Sequence, residues 1–96
     1  MIIKDKRLKT VLNHYGISAQ IDKTFEEINE FERELYGLKY CGYENIHRFT
    51  DEAADVLIML SQLIEGTYTQ KQVKERIDYK LNRQISRIGE EKNGAR

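Results

Sequence analysis

The chain has 96 residues, of which 40% are hydrophobic and 33% are charged, and its 16 basic side chains balance its 16 acidic ones. This length predicts one domain, residues 1–96, and this composition excludes an intrinsically disordered protein. Because the net charge is zero, we expect no stable binding to duplex nucleic acid.

Three further features narrow the class of protein. Proline is absent, which favours a chain made mostly of helix. A single cysteine, Cys41, excludes an internal disulfide and a cysteine-rich zinc site. The N-terminal stretch MIIKDKRLKT has no long apolar region, so neither a signal peptide nor a membrane partner is expected, and we predict a cytoplasmic protein.

Apolar residues recur at helical spacing along four segments of the chain, which predicts four helices. The first is short, near residues 5–15, and Gly16 is its predicted stop. Ser18 is the predicted N-cap of the second helix. That helix should run to Tyr36, because Gly37 follows.

The second half of the chain predicts two more helices. Residues 39–47 form the predicted connection, and the third helix covers about 45–65, with Thr50 as an alternative start. Gly66 ends this helix, and Thr69 then opens a capping box, Thr-x-x-Gln, for the fourth helix. The apolar residues of the fourth helix, spaced by four, four, four and three, are Val73, Ile77, Leu81, Ile85 and Ile88.

The predicted fold class is all-α, a bundle of three long helices with a short N-terminal helix within residues 1–16. Residues 90–96 are polar and predict a frayed tail. Three long amphipathic helices bury only a modest core by themselves, and apolar stripes of this kind often complete a bundle against another copy of the chain. We therefore expect a homo-oligomer, either a dimer or a tetramer.

Two segments, FEEINEF and TDEAADVLIML, place acidic residues three positions apart beside an apolar stripe. Residues at this spacing share a helix face, so antiparallel packing would gather Glu27, Glu30, Glu52 and Asp55. Carboxylates held together partly out of water take up protons unless a cation is present. Oxygen ligands without histidine or thiolate suit Mg²⁺ or Mn²⁺ better than zinc, so this pattern predicts a metal site.

The same acids also have a simpler interpretation. Acidic residues are common on solvated helix faces. Asp51 and Glu52 favour a helix N-terminus, and Lys23 with Glu27 fits an ordinary i,i+4 ion pair. The repeated spacing beside two apolar stripes favours the metal site, while the surface-charge interpretation stays open.

The two acidic segments together resemble the EExxE…ExxD signature of the MazG-like nucleoside triphosphate pyrophosphohydrolases. The similarity covers roughly residues 17–65, and the C-terminal KLNRQISRIGE is more loosely similar. The residues that carry it are Glu26, Glu27, Glu30, Glu52 and Asp55.

This resemblance implies an all-α enzyme that forms dimers or tetramers and hydrolyses an NTP or dNTP to the monophosphate and pyrophosphate. It implies that the metal is Mg²⁺, held by Glu27, Glu30, Glu52 and Asp55. It also implies that Glu26 supports the metal or activates water. The alternative function is a metal- and nucleotide-binding helical oligomer without turnover.

For the general base, the phosphate-binding residues and the aromatic that stacks on the base, the sequence gives several candidates each. The general base is one of Glu26, Glu27 and Glu34. The candidates for binding the substrate phosphates are Lys23, Lys80, Arg83 and Arg87. The last three equally fit a solvated helix face that pairs with neighbouring acids. The aromatic residues available to stack on a base are Tyr15, Tyr36, Tyr40, Tyr43 and Tyr68.

Overall fold

The computed structural model describes residues 3–94, apart from the side chain of Asn45. Its elements are α1 (Lys6–Tyr15), α2 (Ile17–Cys41), a 3-10 turn (Gly42–Asn45), α3 (Ile46–Gly66) and α4 (Gln70–Gly94). The described range contains no β-strand, which confirms the all-α prediction. No helix within this range has the length and apolarity needed to cross a membrane.

The first helix begins at a side-chain cap and ends at a glycine. The Arg7 backbone N–H donates to Asp5 Oδ1 over 2.9 Å, and the Arg7 guanidinium lies 2.6 Å from Asp5 Oδ2. The hydrogen bond from the Arg7 side chain lowers the pKa of Asp5 to about 2. At the other end Gly16, at φ 86°, donates its N–H to Leu12 O over 2.8 Å, so the predicted stop is confirmed.

Both predicted limits of α2 are wrong. Ser18 is not the N-cap, because α2 begins at Ile17 and Gly16 precedes it as the cap residue. Gly37 does not end the helix, which continues to Cys41. A glycine inside a helix costs only about 1 kcal/mol relative to alanine, and Leu38 becomes half-buried in the continued turn.

The connection between α2 and α3 is shorter than predicted. Gly42, at φ 74°, ends α2, and one 3-10 turn leads to α3 at Ile46. The alternative start at Thr50 is wrong, because the Thr50 hydroxyl donates to Ile46 O inside the helix over 2.8 Å. Gly66 is the last residue of α3, as predicted, and a Cβ there would lie 2.6 Å from Leu12 Cδ2. The small residue lets α1 pack closely against α3.

Helices α2 and α3 form an antiparallel pair, and α1 packs across both. Gln20 bonds to Gln62 near one end of the pair, and the Phe31 and Phe49 rings lie 5.6 Å apart near the other. The buried apolar side chains are Leu8, Leu12 and Met59. The buried polar ones are Gln20, Thr24, Glu27, Ser61 and Gln62. The α2–α3 seam is therefore mostly polar where it is most buried.

Helix α4 is exposed along most of its length. The Val73 N–H donates to Thr69 O over 2.9 Å, so Thr69 is the residue before the helix, as predicted. The Thr69 hydroxyl lies 2.9 Å from that of Thr67 and donates to Ile64 O over 3.5 Å, so the bonds described for it are not those of the predicted capping box. No residue of α4 is buried, and among the helices of the described range it packs against α3 alone. The helix continues through residues 90–94, and residues 95–96 lie outside the described range, so fraying of this tail stays a prediction.

Candidate metal centre

Three acidic side chains meet between α2 and α3. Glu27 projects from α2, while Glu52 and Asp55 lie one turn apart on α3. One carboxylate oxygen from each of these residues lies within 4.8 Å of the others, and we call this group the acidic triad. The triad brings together one acid from FEEINEF and two from TDEAADVLIML, as antiparallel packing of the two helices predicts.

The triad runs from the interior to the surface. Glu27 is only 6% exposed, Glu52 is half-buried and Asp55 is exposed. Glu27 Oε2 and Glu52 Oε2 are both buried and have no hydrogen-bond partner among the described residues. A buried carboxylate oxygen without a partner loses its hydration and gains nothing in return. Within the described residues the triad therefore has two buried acceptor oxygens that nothing pairs with, and Asp55 at its outer edge is open to solvent.

The surroundings of the triad disfavour the charged form of its acids. Burial raises the pKa of Glu52 to about 7, and repulsion from Glu30, Asp55 and Glu27 adds to the effect. Burial, followed by repulsion from Glu27, also raises the pKa of Asp55. A divalent cation between these oxygens would relieve the repulsion and favour the ionised carboxylates.

Lys23, which is exposed, forms an ion pair with one acid of the triad. Its Nζ lies 3.3 Å from Glu27 Oε1 and 3.6 Å from Glu26 Oε2. The i,i+4 pair that the sequence predicts is therefore present. The hydrogen bond to Glu27 raises the pKa of Lys23. This ion pair and the metal site are compatible, because Lys23 engages one oxygen of Glu27 and leaves Oε2 without a partner.

Glu30 and Glu26, the other two acids that the sequence predicts for the site, lie beside the triad. Glu30 is half-buried, and its charge contributes to the raised pKa of Glu52, so it lies near that residue. It is not among the acids whose oxygens lie within 4.8 Å of one another in the described range. Glu26 is exposed and pairs with Lys23.

The predicted phosphate-binding residues fall in two places. Lys23 lies at the triad. Lys80, Arg83 and Arg87 are on α4, which does not pack against α2 in the described chain. The Arg83 guanidinium instead lies 5.6 Å from the centre of the Tyr79 ring. Within one chain, the structure does not join these three cations to the acids.

The candidate aromatic residues are exposed. Tyr36 and Tyr40 stack with ring centres 6.2 Å apart, and Lys39 Nζ lies 5.3 Å from the centre of the Tyr40 ring. They lie in the last turns of α2, on the face roughly opposite Glu27 by the 100° helical rotation per residue. This placement does not favour them as contacts for a nucleotide at the triad of the same chain.

The sequence reasoning missed a buried amide pair on the same seam. Gln20 Nε2 donates to Gln62 Oε1 over 2.8 Å, and both side chains are buried. The available signal was the helical spacing, because Gln20 lies two turns before Glu27 and Gln62 two turns after Asp55. Glutamine in an amphipathic helix is usually exposed, so spacing alone did not identify a buried pair.

Comparisons with protein-family models, with curated proteins and with solved structures found no match for this chain.

Proposed function

We propose that the protein is a Mg²⁺-dependent nucleotide pyrophosphohydrolase that converts an NTP or dNTP to the nucleoside monophosphate and pyrophosphate. The observation that carries this proposal is the acidic triad, in which Glu27 Oε2 and Glu52 Oε2 are buried without partners. The resemblance of the two acidic segments to the MazG-like signature supports the choice of reaction.

The donor set of the triad fits a hard divalent cation. Octahedral Mg²⁺ binds oxygens at about 2.1 Å, so neighbouring ligand oxygens lie roughly 3 Å apart and opposite ones roughly 4.2 Å apart. The oxygens of the triad lie within 4.8 Å of one another, so small side-chain rotations reach this geometry. Glu27, Glu52 and Asp55 would hold the ion, with Glu30 as a fourth ligand, and Mn²⁺ would satisfy the same oxygens.

The chemistry follows from this charge arrangement. The bound cation would neutralise the triphosphate, polarise its α-phosphorus and lower the pKa of a bound water. A water oxygen bonds to the α-phosphorus, the bond to the bridging oxygen breaks, and pyrophosphate leaves. The proton of the water passes to a carboxylate of the site, for which Glu26 and Glu27 are our candidates. Helices hold these acids more rigidly than loops would.

Lys23 is the phosphate-binding candidate that this geometry favours. It lies one turn before Glu27 and 3.3 Å from its Oε1. Once a divalent cation engages Glu27, the ammonium group is available for an oxygen of the β- or γ-phosphate. Any role of Lys80, Arg83 and Arg87 at the same site depends on a partner chain, because α4 does not reach α2 within one chain.

We further propose that the protein acts as a homo-oligomer, and the uncovered face of α4 supports this. Ile77, Leu81, Ile85 and Ile88 are between 42% and 67% exposed. The radius of gyration is 16.9 Å. A compact domain of this length has a radius of about 12.5 Å. Residues 3–6 and α4 line a cavity of about 780 Å³, and no residue of the triad is part of its lining. We assign this cavity to packing against the second copy of the chain.

A substrate panel tests the proposed activity. Purified protein with Mg²⁺ should release pyrophosphate from at least one NTP or dNTP. Glu52→Gln should abolish the release, because it keeps the size of the side chain and removes a ligand charge. Glu75→Gln on exposed α4 is the matched control and should behave as wild type. Absence of release across the panel would remove the basis for the enzyme proposal.

A second candidate is a metal- and nucleotide-binding oligomer without turnover. The absence of packing between α4 and α2 within one chain favours it, because among the described ion pairs Lys23 is the cation that contacts an acid of the triad. Calorimetry that shows nucleotide binding, together with chromatography that shows no product, would select this function over hydrolysis.

A further inference from the structure

We propose that Gln20 and Gln62 are a positioning pair that fixes the register of α2 against α3 and so brings the acidic triad together. The inference rests on the proposed metal site for its functional meaning. The register itself is a property of the two helices, and it is measurable without a metal.

The two amides are unusual occupants of a helix seam. Gln62 is 1% exposed and Gln20 is 6% exposed, which makes them among the most buried side chains of the described residues. Gln20 Nε2 donates to Gln62 Oε1 over 2.8 Å, a short hydrogen bond between side chains 42 positions apart. Burying a pair of amides gains less free energy than burying apolar side chains of the same volume, so stability alone does not account for them.

The pair and the triad lie on the same stripes. Along α2, Gln20, Thr24 and Glu27 follow one another at i, i+4 and i+7, and all are buried. Along α3, Gln62, buried Met59 and Asp55 follow one another at i, i−3 and i−7. Since the helices are antiparallel, the hydrogen bond and the acids are separated by two turns, or about 10 Å.

A directional bond at this place restricts sliding of the helices. On the far side of the triad, the Phe31 and Phe49 rings make an apolar contact with centres 5.6 Å apart. Apolar contacts tolerate a shift that a hydrogen bond does not, because an N–H···O bond needs a distance of about 2.7–3.2 Å and weakens steeply at angles below about 120°. A slip of one helical turn, about 5.4 Å, would break the amide pair and move Glu27 by one turn relative to Glu52 and Asp55, so the three acids would no longer meet as they do here. A single buried asparagine sets helix register in coiled coils by the same physics.

Replacing both glutamines by apolar residues of similar size distinguishes an effect on helix register from an effect on packing. Gln20→Met with Gln62→Met keeps two unbranched side chains of similar length and removes the hydrogen bond. The control is Ser61→Ala, which removes a neighbouring buried polar group that accepts from the Ile3 N–H, outside the α2–α3 contact. All variants are full-length chains, with helix content checked by circular dichroism.

Two readouts are combined. The first is the distance between spin labels at Asp22→Cys and Ala54→Cys, both exposed, in a Cys41→Ser background diluted with unlabelled protein to suppress distances between chains. The second is the dissociation constant for Mn²⁺. We expect one narrow distance for wild type and the control. The double methionine variant should show a broadened distribution or a second distance shifted by about 5 Å, with Mn²⁺ affinity about 10-fold weaker.

The outcomes are distinct. A narrow, unshifted distance in the double methionine variant would overturn the positioning role. If that variant does not fold, Gln62→Glu, which keeps the length and an acceptor oxygen, is compared with Gln62→Met, and equal distributions for the two would overturn it as well. Failure of wild type to bind Mn²⁺ would overturn the proposed metal site instead, and the label distances would still decide the register.

Discussion

The α2–α3 seam and the outer face of α4 show opposite distributions of polarity. In the seam, glutamine, threonine and glutamate are buried, and two carboxylate oxygens have no partner. On α4, four isoleucine and leucine side chains are exposed. Both departures cost stability in an isolated chain. Under the proposed function, a cation completes the first region and the apolar surface of another chain completes the second.

The largest effect is expected from a substitution in the proposed cation site. Glu27→Gln replaces the most buried acid of the triad, so Mn²⁺ affinity should fall by about 100-fold or more, above the usual range for residues that only support a ligand. Saturating Mn²⁺ at 100 times its dissociation constant should stabilise wild type by about 2.7 kcal/mol and leave the variant almost unchanged. Calorimetry and thermal unfolding measure both quantities. Equal stabilisation of the two proteins would contradict the metal interpretation of the seam.

The second prediction concerns the exposed face of α4. Leu81→Asp places a charge in the centre of the apolar stripe, so it should shift the protein from an oligomer toward single chains. Light scattering after size-exclusion chromatography measures the mass. Gln84→Asp introduces the same residue at an exposed polar position of α4 and should keep the oligomer. A single-chain mass for wild type would show that the stripe needs another partner.

The third prediction is a pH dependence of the metal-free protein. Because the pKa of Glu52 is raised to about 7 in the folded state, that state holds its proton more tightly than the unfolded chain, whose value is near 4.5. The resulting stabilisation is complete below pH 4.5 and is lost as the pH rises through 7. Thermal unfolding of wild type in a chelator should therefore show a declining midpoint across this window, and Glu52→Gln should flatten it. If the unfolding midpoint of Glu52→Gln declined in parallel with that of wild type, the pH dependence would come from other groups.

The smallest expected effect comes from Lys23. Lys23→Met removes the cation that pairs with Glu27 Oε1, so Mn²⁺ should bind a few-fold more tightly without nucleotide. Triphosphate affinity in the presence of metal should instead fall, because a phosphate contact is lost. Titrations with metal and then with nucleotide measure the two effects separately. Weaker binding of Mn²⁺ to this variant would contradict this prediction. It would mean that Lys23 holds the acids of the triad in place and does not compete with Mn²⁺ for Glu27.

The regular features of the fold were predictable because they depend on local spacing. The apolar period located all four helices, and Gly16 and Gly66 marked ends where the chain has a positive φ or a close contact. The three-residue spacing of the acids placed them on the faces that meet. These signals follow from helix geometry, which needs no knowledge of the partner helix.

The features that the sequence did not predict correctly depend on contacts between helices. Gly37 and Thr50 lie inside helices and do not limit them, because tertiary packing tolerates one unfavourable residue inside a long helix. The Gln20–Gln62 pair was missed because burial of an amide is decided by its partner on the other helix. Which acids approach within 4.8 Å depends on the rotation of α2 against α3, so Glu30 was not separable from the triad in advance.

The most direct test of the central claim measures both products in one reaction. Wild-type protein with Mg²⁺ and its best nucleotide should yield the monophosphate and pyrophosphate in equal amounts, and a chelator should stop both. Formation of orthophosphate instead, or no product from a protein that binds Mn²⁺ and nucleotide, would contradict pyrophosphohydrolysis at the acidic triad.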